Sequence, residues 1–307
     1  MRTTIIIEGG LGRVLTAVPA LEKYVEKYPD TIIVVYGWIS ILWGNKKLVN
    51  NIYDSNTKGL LNLLKNTRII KPEPYYNNAY LAGEIHLIDA WNQEINNETD
   101  KINILPKIYL SNTEIQSMSF IRDNYYTKII AFQPFGSTSF IEGKDIKDTT
   151  LRSLNIKTTQ YLIKLLKDQG YGLWLMSDKI IPFLNRDDFI NISSNNLREV
   201  IALLYHCDYF LGIDSSGQHI ARSLSIPGSI IMGGTNTVNT TYSDHFNVLN
   251  NDLSKAYMPY RIAEFDYWLS ELSNSNILNF TDKDLHILGK NILKHINKST
   301  KSSNIIH

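Results

Sequence analysis

A strand, a polar turn, a helix and a second strand follow one another between residues 209 and 234, and this order constrains the fold. The apolar run from Tyr209 to Ile213 predicts a buried strand that ends at Asp214. The small residues from Ser215 to Gly217 then open a predicted helix, and the apolar run from Gly228 to Met232 predicts the next strand. Such a unit is typical of a parallel α/β sheet, which binds ligands at the carboxyl ends of its strands. Because helix N-termini favour anions, a phosphorylated ligand is the first hypothesis.

The N-terminus shows the same order of elements. Residues 3–7 predict a buried strand, and a glycine-rich turn follows it. Apolar residues at helical spacing then predict a helix that ends before Pro29, and residues 31–36 predict a second strand. This is a βαβ unit, and βαβ crossovers imply a parallel sheet.

The βαβ pattern restarts near residue 126, which predicts two α/β halves with a boundary near 125. The domains are therefore expected at 1–125 and 126–297, with a flexible tail over 298–307. The last predicted helix, 282–297, either closes the second domain or packs back on the first. Further predicted elements are helices over 111–124, 158–169 and 197–205, strands over 128–132 and 171–176, short apolar runs at 68–70 and 84–88, and loops over 71–83 and 139–150.

Composition describes an ordinary globular protein. Apolar residues make up 43% of the 307 residues and charged residues 20%. The net charge of +1 gives the protein no overall positive potential that would attract nucleic acid. The one cysteine, Cys207, lies in an apolar context that predicts a buried structural thiol and allows no disulfide. There is no 18-residue apolar run and no signal-peptide core, so we expect a cytoplasmic protein without a transmembrane segment. No histidine spacing predicts a metal site.

Three polar turns are candidate ligand-binding segments. Glycines in the first turn, Gly9, Gly10 and Gly12, permit a close approach of a ligand to the backbone, or simply a tight turn. Arg13 sits where the helix dipole disfavours a cation, so it meets an anion or reaches solvent. In the second half, Gly136, Ser137 and Thr138 follow a strand and could wrap a phosphate, to which Arg152 could add charge. Asp214 and the serines behind it fit either a helix cap or a ligand contact, and His219 fits either a packed residue or a ligand contact.

Three segments carry a resemblance to a known family: GGLGRVLTAVPALEKYVEKYP at 9–29, IIAFQPFGST at 129–138 and IDSSGQHIARSLSIPGSIIMGGTN at 213–236. Together they resemble glycosyltransferase family 9, the heptosyltransferase-like group. The resemblance implies the α/β GT-B fold, with two Rossmann-like domains whose parallel sheets face a central cleft. It also implies inverting transfer from a nucleotide-diphosphate sugar as co-substrate, without a metal or another cofactor. The resemblance implies that Asp214, Ser215, Ser216 and His219 face the sugar and diphosphate of the donor and that Gly136, Ser137 and Thr138 hold the phosphates. Gly217 and Arg152 complete our candidate donor site.

Two positions depart from the family pattern. Family members usually carry an aspartate, the expected catalytic base, where this chain has Arg13. An arginine cannot take a proton, so Glu8 at the end of the first strand is our candidate base and Arg13 a candidate anion binder. Weaker candidates for the base are Glu84, His86 and Asp89. The family's Gly-Pro is replaced by Ser216-Gly217, which alters the turn but keeps the spacing from Asp214 to His219.

Three functions remain open from the sequence. The first is a glycosyltransferase whose acceptor is a saccharide, such as a surface glycan. The second has the same fold but acts on a modified base in duplex DNA, as phage DNA glycosyltransferases do. It is motivated by cations and aromatics of the first half: Lys46, Lys47, Lys65, Arg68, Lys71, Tyr75, Tyr76 and Tyr80. The third is a non-catalytic protein that binds nucleotide sugars.

Overall fold

The computed structural model describes residues 1–123, 126–148, 150–177, 181–250, 260–262, 265–267 and 278–299. The chain divides into two compact units, Met1–Ser111 and Asn112–His307. Within the described residues, no helix has the length and apolarity that a membrane crossing requires.

The first unit is built on a four-stranded parallel sheet in the order β3-β2-β1-β4. Its interior is aliphatic, because isoleucine and valine dominate β1 and β2 and the helix α1, which packs against α4, buries an apolar face. The strands are β1 (Thr3–Ile7), β2 (Ile32–Val35), β3 (Ile52–Asp54) and β4 (Arg68–Ile70), and the helices are α1 (Leu11–Lys27), α2 (Leu60–Leu64), α3 (Asn78–Leu81) and α4 (Leu87–Asn96), with 3₁₀ turns at Ile39–Leu42 and Pro74–Tyr76.

Two predictions for the first unit need correction. The apolar run at 84–88 begins α4 instead of forming a strand, because His86 caps the helix by accepting a hydrogen bond from the Ile88 N–H at 3.1 Å. The predicted loop over 71–83 contains a 3₁₀ turn and α3, and it buries Tyr80 completely. A short apolar run does not distinguish a strand from the first turn of a helix, which explains the first error.

The second unit is built on a five-stranded parallel sheet in the order β11-β10-β9-β5-β8. Two antiparallel ribbons accompany it, β6 with β7 and β12 with β13. The strands are β5 (Ile129–Gln133), β6 (Ser139–Glu142), β7 (Asp145–Asp148), β8 (Gly172–Leu175), β9 (Tyr209–Ile213), β10 (Gly228–Ile231), β11 (Phe246–Leu249), β12 (Tyr260–Ile262) and β13 (Phe265–Tyr267). The helices are α5 (Asn112–Ser117), α6 (Ile156–Lys167), α7 (Leu197–His206), α8 (Ser216–Ser223), α9 (Thr237–Thr240) and α10 (Asp282–Lys298), with 3₁₀ turns at Ser119–Asp123 and Arg186–Asp188.

The division between the units lies at Ser111, whereas the sequence placed it near 125, a position outside the described residues. The physical reason is the attachment of α5 to α7. Arg198 donates to both carboxylate oxygens of Glu114, at 2.7 and 2.8 Å, and Arg122 forms a two-pronged pair with Asp208 at 2.7 Å. These bonds join residues 112–123 to the second unit.

The polar segment 139–150, predicted as a loop, forms the β6–β7 ribbon. At the C-terminus, α10 packs against α6, β10 and β11 of its own unit, and it continues to Lys298. Residue 298 of the predicted tail therefore belongs to this helix, and residues 300–307 of that prediction lie outside the described residues. Cys207 is buried, as predicted, within this unit.

Each sheet contains a point at which the strand order reverses. In the second unit the chain runs from β5 outward to β8 and then returns to β9, β10 and β11 on the other side of β5. In the first unit β2 and β3 lie on one side of β1, and β4 lies on the other. Open α/β sheets bind ligands at such reversals, outside the carboxyl ends of the two strands. The candidate sites are therefore the ends of β5 and β9, and the ends of β1 and β4.

Candidate functional site

In the second unit, the carboxyl end of β5 and the first turn of α8, the helix that follows β9, approach each other closely. A Cβ at Gly217 would lie 2.1 Å from the Gln133 Oε1 atom, so a larger residue there would displace the end of the Gln133 side chain. Gln133 is the last residue of β5, and its Oε1 is buried without a hydrogen-bond partner among the described residues. The carboxyl end of β5 thus holds an unsatisfied acceptor beside the first turn of α8.

Asp214 directly follows β9 and is buried. Its Oδ1 accepts a hydrogen bond of 2.5 Å from Gln218 Nε2, and Gln218 Oε1 in turn accepts one of 2.6 Å from the Thr241 hydroxyl. The N-cap of α8 is Ser215, whose side chain makes no capping hydrogen bond. Neither residue therefore caps the helix through its side chain, and the N–H groups of its first turn remain suited to a ligand anion.

His219 lies one helical turn further along and is buried against Tyr242. Its Nδ1 is 2.9 Å from the Tyr242 hydroxyl, and the two rings meet edge to face with centroids 5.6 Å apart. Burial lowers the pKa of His219 to about 4, and the charge of Arg152 adds to this effect. Burial also raises the pKa of Tyr242. At neutral pH the pair is therefore an uncharged imidazole and a phenol, and Nδ1 of His219 is hydrogen-bonded to Tyr242.

We expect this buried histidine to make stability depend on pH. Its pKa is lower in the folded state than the ordinary 6.5, so the unfolded state binds more protons between pH 6.5 and 4. The stabilisation is complete above pH 6.5 and is lost as the pH falls, by about 3 kcal/mol at pH 4. Urea unfolding of wild type and His219→Gln from pH 7 to pH 4 measures this effect. The difference in free energy of unfolding between the two proteins should narrow as the pH falls. A constant difference would show that His219 does not titrate in this way.

The loop around Arg152 is fastened to the carboxyl ends of β9 and β10. Arg152 Nε donates to the Thr150 hydroxyl at 2.8 Å, and its Nη1 is 3.4 Å from the Asp214 backbone oxygen. Leu151 has a left-handed φ of 53°, and its backbone oxygen accepts from the Gly234 N–H at 3.1 Å. A Cβ at Gly233 would lie 1.9 Å from the same oxygen. Strain of this kind at a strand end is typical of a functional loop, and it holds a half-buried cation beside Asp214 and His219.

Asp148 organises the predicted phosphate loop. Its two oxygens accept from the hydroxyls of Thr138 at 2.8 Å, Thr150 at 2.5 Å and Ser153 at 2.5 Å, and Ser153 accepts in turn from the Gly136 N–H at 2.9 Å. Burial alone raises the pKa of Asp148, but these hydrogen bonds and the charge of Arg152 together lower it. The Gly136 N–H and the Thr138 hydroxyl are thus engaged within the loop, while Ser137 is exposed. Asp148 fixes the shape of the loop that the sequence analysis selected.

Two further buried hydroxyls lie after β10. The Oγ1 atoms of Thr235 and Thr237 are buried and make no hydrogen bond within the described part of the chain. Unsatisfied buried polar atoms are rare, and each needs a water or a ligand to satisfy it. With Gln133, they outline polar contacts that a ligand at this edge of the sheet could complete.

In the first unit, the glycine turn accommodates the Arg13 side chain. Gly9 has a φ of 106°, and a Cβ there would lie 2.7 Å from Arg13 Cδ. The guanidinium is buried, its Nη2 lies 2.9 Å from Glu73 Oε2, and its carbon lies 5.1 Å and 5.3 Å from the ring centres of Tyr75 and Trp91. Its Nε and Nη1 are buried without a hydrogen-bond partner among the described residues. Of the two expectations for Arg13, an anion or solvent, the structure shows an anion, and it is a carboxylate of the same unit.

Glu8 lies at the reversal point of the first sheet. It follows β1, and Lys71, which follows β4, holds its Oε1 at 2.9 Å. About a third of the Glu8 side chain, 35%, is exposed. A Cβ added to Gly10, the exposed N-cap of α1, would meet no atom within 4 Å beyond its chain neighbours, so the turn beside Glu8 is open. Glu8 is therefore an accessible, oriented carboxylate at the carboxyl edge of this sheet.

Most of the cations and aromatics that motivated DNA binding are paired, buried or at opposite edges of the first sheet. Lys71 and Lys47 pair with the carboxylates of Glu8 and Glu22. Arg68 begins β4 and Lys65 precedes it, so both lie at the amino edge of the sheet, opposite Lys71. Tyr80 is buried and Tyr75 lies against Arg13, which leaves Tyr76 as the exposed tyrosine of the three.

The described residues contain no group of three or more histidine, cysteine, aspartate or glutamate side chains that could hold a metal ion.

Comparison with known proteins gives structural matches only. No protein-family model and no curated protein matches the sequence. Among solved structures, the chain is similar to a family 9 glycosyl transferase of Veillonella parvula (12% identity, TM-score 0.66, 97% of this chain and 98% of that chain). It is also similar to the ADP-heptose heptosyltransferase II of E. coli (13%, 0.62, 97% and 99%) and to the dodecameric glycosyltransferase TibC of enterotoxigenic E. coli (13%, 0.61, 97% and 77%). The chain has the fold of these glycosyltransferases. This confirms the GT-B fold class predicted from the sequence.

Several residues of the two sites were not predicted. Asp148 stands before a run of threonine and serine, a signal for a turn built on side-chain hydrogen bonds that could have found it. Gln133 could have been found as the polar last residue of a buried strand. Glu73 and Tyr242 gave no local signal, because they lie 60 and 23 residues from Arg13 and His219, the residues that they contact.

Proposed function

We propose that this chain is a glycosyltransferase that moves a sugar from a nucleotide-diphosphate sugar to a hydroxyl of a saccharide acceptor. We propose further that the transfer is inverting, needs no metal and takes place in the cytoplasm. The observation that carries the proposal is the carboxyl edge of the second sheet, where Arg152, the uncapped N-terminus of α8 and three unsatisfied buried polar atoms all lie at or beyond the ends of neighbouring strands. A diphosphate suits the cation and the helix terminus, and hydroxyls of a sugar or ribose suit the unsatisfied atoms.

The similar structures support this assignment of the second unit. The E. coli heptosyltransferase II is described as an enzyme of ADP-heptose, and TibC has been solved in complex with ADP-D-β-D-heptose. Under our proposal the second unit of this chain binds a donor of the same chemical class, and Asp214, Ser215, Ser216 and His219 border it.

Glu8 is the proposed base. The acceptor oxygen forms a bond to the anomeric carbon while the bond from that carbon to the diphosphate oxygen breaks, and the diphosphate leaves with the electron pair. The acceptor proton passes to the Glu8 carboxylate, and Arg152 stabilises the charge that develops on the leaving group. Lys71 orients Glu8, whereas Arg13 is held by Glu73 and takes no proton.

A thermal-shift experiment tests donor binding. We expect one of UDP, ADP, GDP or CDP at 1 mM to raise the melting temperature by several degrees, because a ligand that binds only the folded state stabilises it. Arg152→Met should remove most of this shift. Arg186→Met, which removes an exposed arginine of the same unit, should keep it. A protein that responds to none of the four nucleotides contradicts the proposal.

The acceptor is proposed to be a saccharide and not DNA, because Lys47 and Lys71 are paired with carboxylates and Lys65 and Arg68 lie at the edge of the sheet opposite Lys71. Binding to duplex DNA that weakens steeply with salt would support the DNA acceptor instead. Nucleotide binding without any turnover would support the third function, a non-catalytic protein that binds nucleotide sugars.

A further inference from the structure

The residues next to Glu8 in the first sheet belong to the segment after β2. The Tyr36 N–H donates to the Ile7 oxygen at 2.8 Å, so Tyr36 leaves β2 beside the point where Glu8 leaves β1. On the other side of β2, Val35 is in register with Asp54, the last residue of β3. Tyr36 therefore lies at the carboxyl edge of the sheet between two strands that each end at a carboxylate.

Three exposed aromatic side chains follow within eight residues. Tyr36 is 65% exposed, Trp38 is 47% exposed and Trp43 is 53% exposed. Scattered apolar residues are common on protein surfaces, but large rings concentrated in one segment at a ligand-binding edge of a sheet are typical of an interaction site.

The backbone at Trp38 is strained. Its φ is 58°, in the left-handed region that a bulky residue rarely adopts, and it follows Gly37, whose φ is 74°. A glycine at position 38 would adopt this conformation without strain. The tryptophan at this position places a large ring at the edge of the sheet and lowers the stability of the folded state. Such strain is typical of a functional position.

We propose that Tyr36, Trp38 and Trp43 form an acceptor platform on which a sugar ring of the acceptor stacks. The C–H face of a sugar complements the negative face of an aromatic ring, and the carboxylates of Asp54 and Glu8 accept hydrogen bonds from sugar hydroxyls. The same carboxylates repel the phosphates of a nucleic acid. This site rests on the proposed function, because an acceptor stacked there presents a hydroxyl beside the proposed base.

The decisive variant is Trp38→Gly, which removes the ring and also relieves the backbone strain. We expect its melting temperature to stay close to that of wild type, because relief of the left-handed φ offsets the partial burial that the ring loses. Its measurement separates loss of binding from unfolding. The matched control is Tyr28→Ala. Tyr28 is also 47% exposed and lies in the same unit, but it precedes β2 and so occupies the amino edge of the sheet.

The measurement is retention of labelled protein on an array of immobilised oligosaccharides built from hexose, heptose and amino-sugar residues, with a duplex containing 5-hydroxymethylcytosine as a further probe. We expect wild type and Tyr28→Ala to bind at least one oligosaccharide equally, and Trp38→Gly to bind it about tenfold more weakly. Equal binding by Trp38→Gly, retention on the duplex alone, or no retention by wild type would each overturn the platform. If a nucleoside diphosphate still raises the melting temperature in those cases, the platform is wrong and the proposed function stands. If neither the nucleotide nor an oligosaccharide binds, neither proposal stands.

Discussion

Replacement of Glu73 by alanine should lower the free energy of unfolding of the first unit by about 3–5 kcal/mol, the usual cost of removing one partner from a buried ion pair. The side chain of Arg13 is only 3% exposed, and Glu73, 26% exposed, supplies its carboxylate at 2.9 Å. Without Glu73 the guanidinium stays buried between Tyr75 and Trp91 with no anion beside it. The loss should be confined to the unit that contains the pair.

Hydrogen exchange followed by mass spectrometry measures this effect by region. Peptides from β1, α1 and α4 should exchange faster in Glu73→Ala, while peptides from β5 and β9 in the second unit serve as the internal reference. The double variant Arg13→Met/Glu73→Ala removes the buried charge as well, and it should return to within about 1 kcal/mol of wild type. If the single variant loses less than about 1 kcal/mol, another group neutralises Arg13. An anion bound at its unsatisfied Nε and Nη1 atoms would then be the explanation.

The turn at Gly9 to Arg13 shows how far the sequence can be interpreted. Its glycines and the strand before it predicted either a close approach of a ligand to the backbone or a tight turn. The group that approaches Gly9 is the Arg13 side chain. An arginine against a helix dipole correctly indicated a nearby anion, but the anion is Glu73, 60 residues away, and no local pattern identifies such a partner.

The helices and strands were predictable where the apolar pattern extends over a long segment. The strands β1, β5, β9 and β10 and the helices α1, α6, α7 and α10 follow from it to within a few residues. Short or polar elements were not predictable: the β6–β7 ribbon pairs two short and mostly polar segments, and the loop beside it is shaped by hydrogen bonds to Asp148. The carboxyl edges of the sheets were predicted as binding edges, but the strand order that makes two of those ends a reversal point required the structure.

Substitution of Glu8 by glutamine should reduce glycosyl transfer by about 10²–10⁴-fold, the range for removal of a general base. Glutamine keeps the size of the side chain and its capacity to bond Lys71, but it cannot accept the proton of the acceptor hydroxyl. Binding of the nucleotide belongs to the second unit under our proposal, so the thermal shift should be unchanged. The reaction is measured as release of nucleoside diphosphate from a nucleotide sugar whose base is the one found by thermal shift, with an oligosaccharide or water as acceptor.

The matched control is Glu26→Gln, which removes an exposed carboxylate of the same unit within α1 and should leave the rate unchanged. A further comparison is Lys71→Met, which removes the ion pair but leaves the carboxylate. Because Lys71 orients the base without taking the proton, its loss should reduce the rate less than the loss of the Glu8 charge does. Full activity in Glu8→Gln would show that another group accepts the proton. Absence of turnover in wild type, with nucleotide binding intact, would instead assign the chain to the non-catalytic proteins that keep this fold.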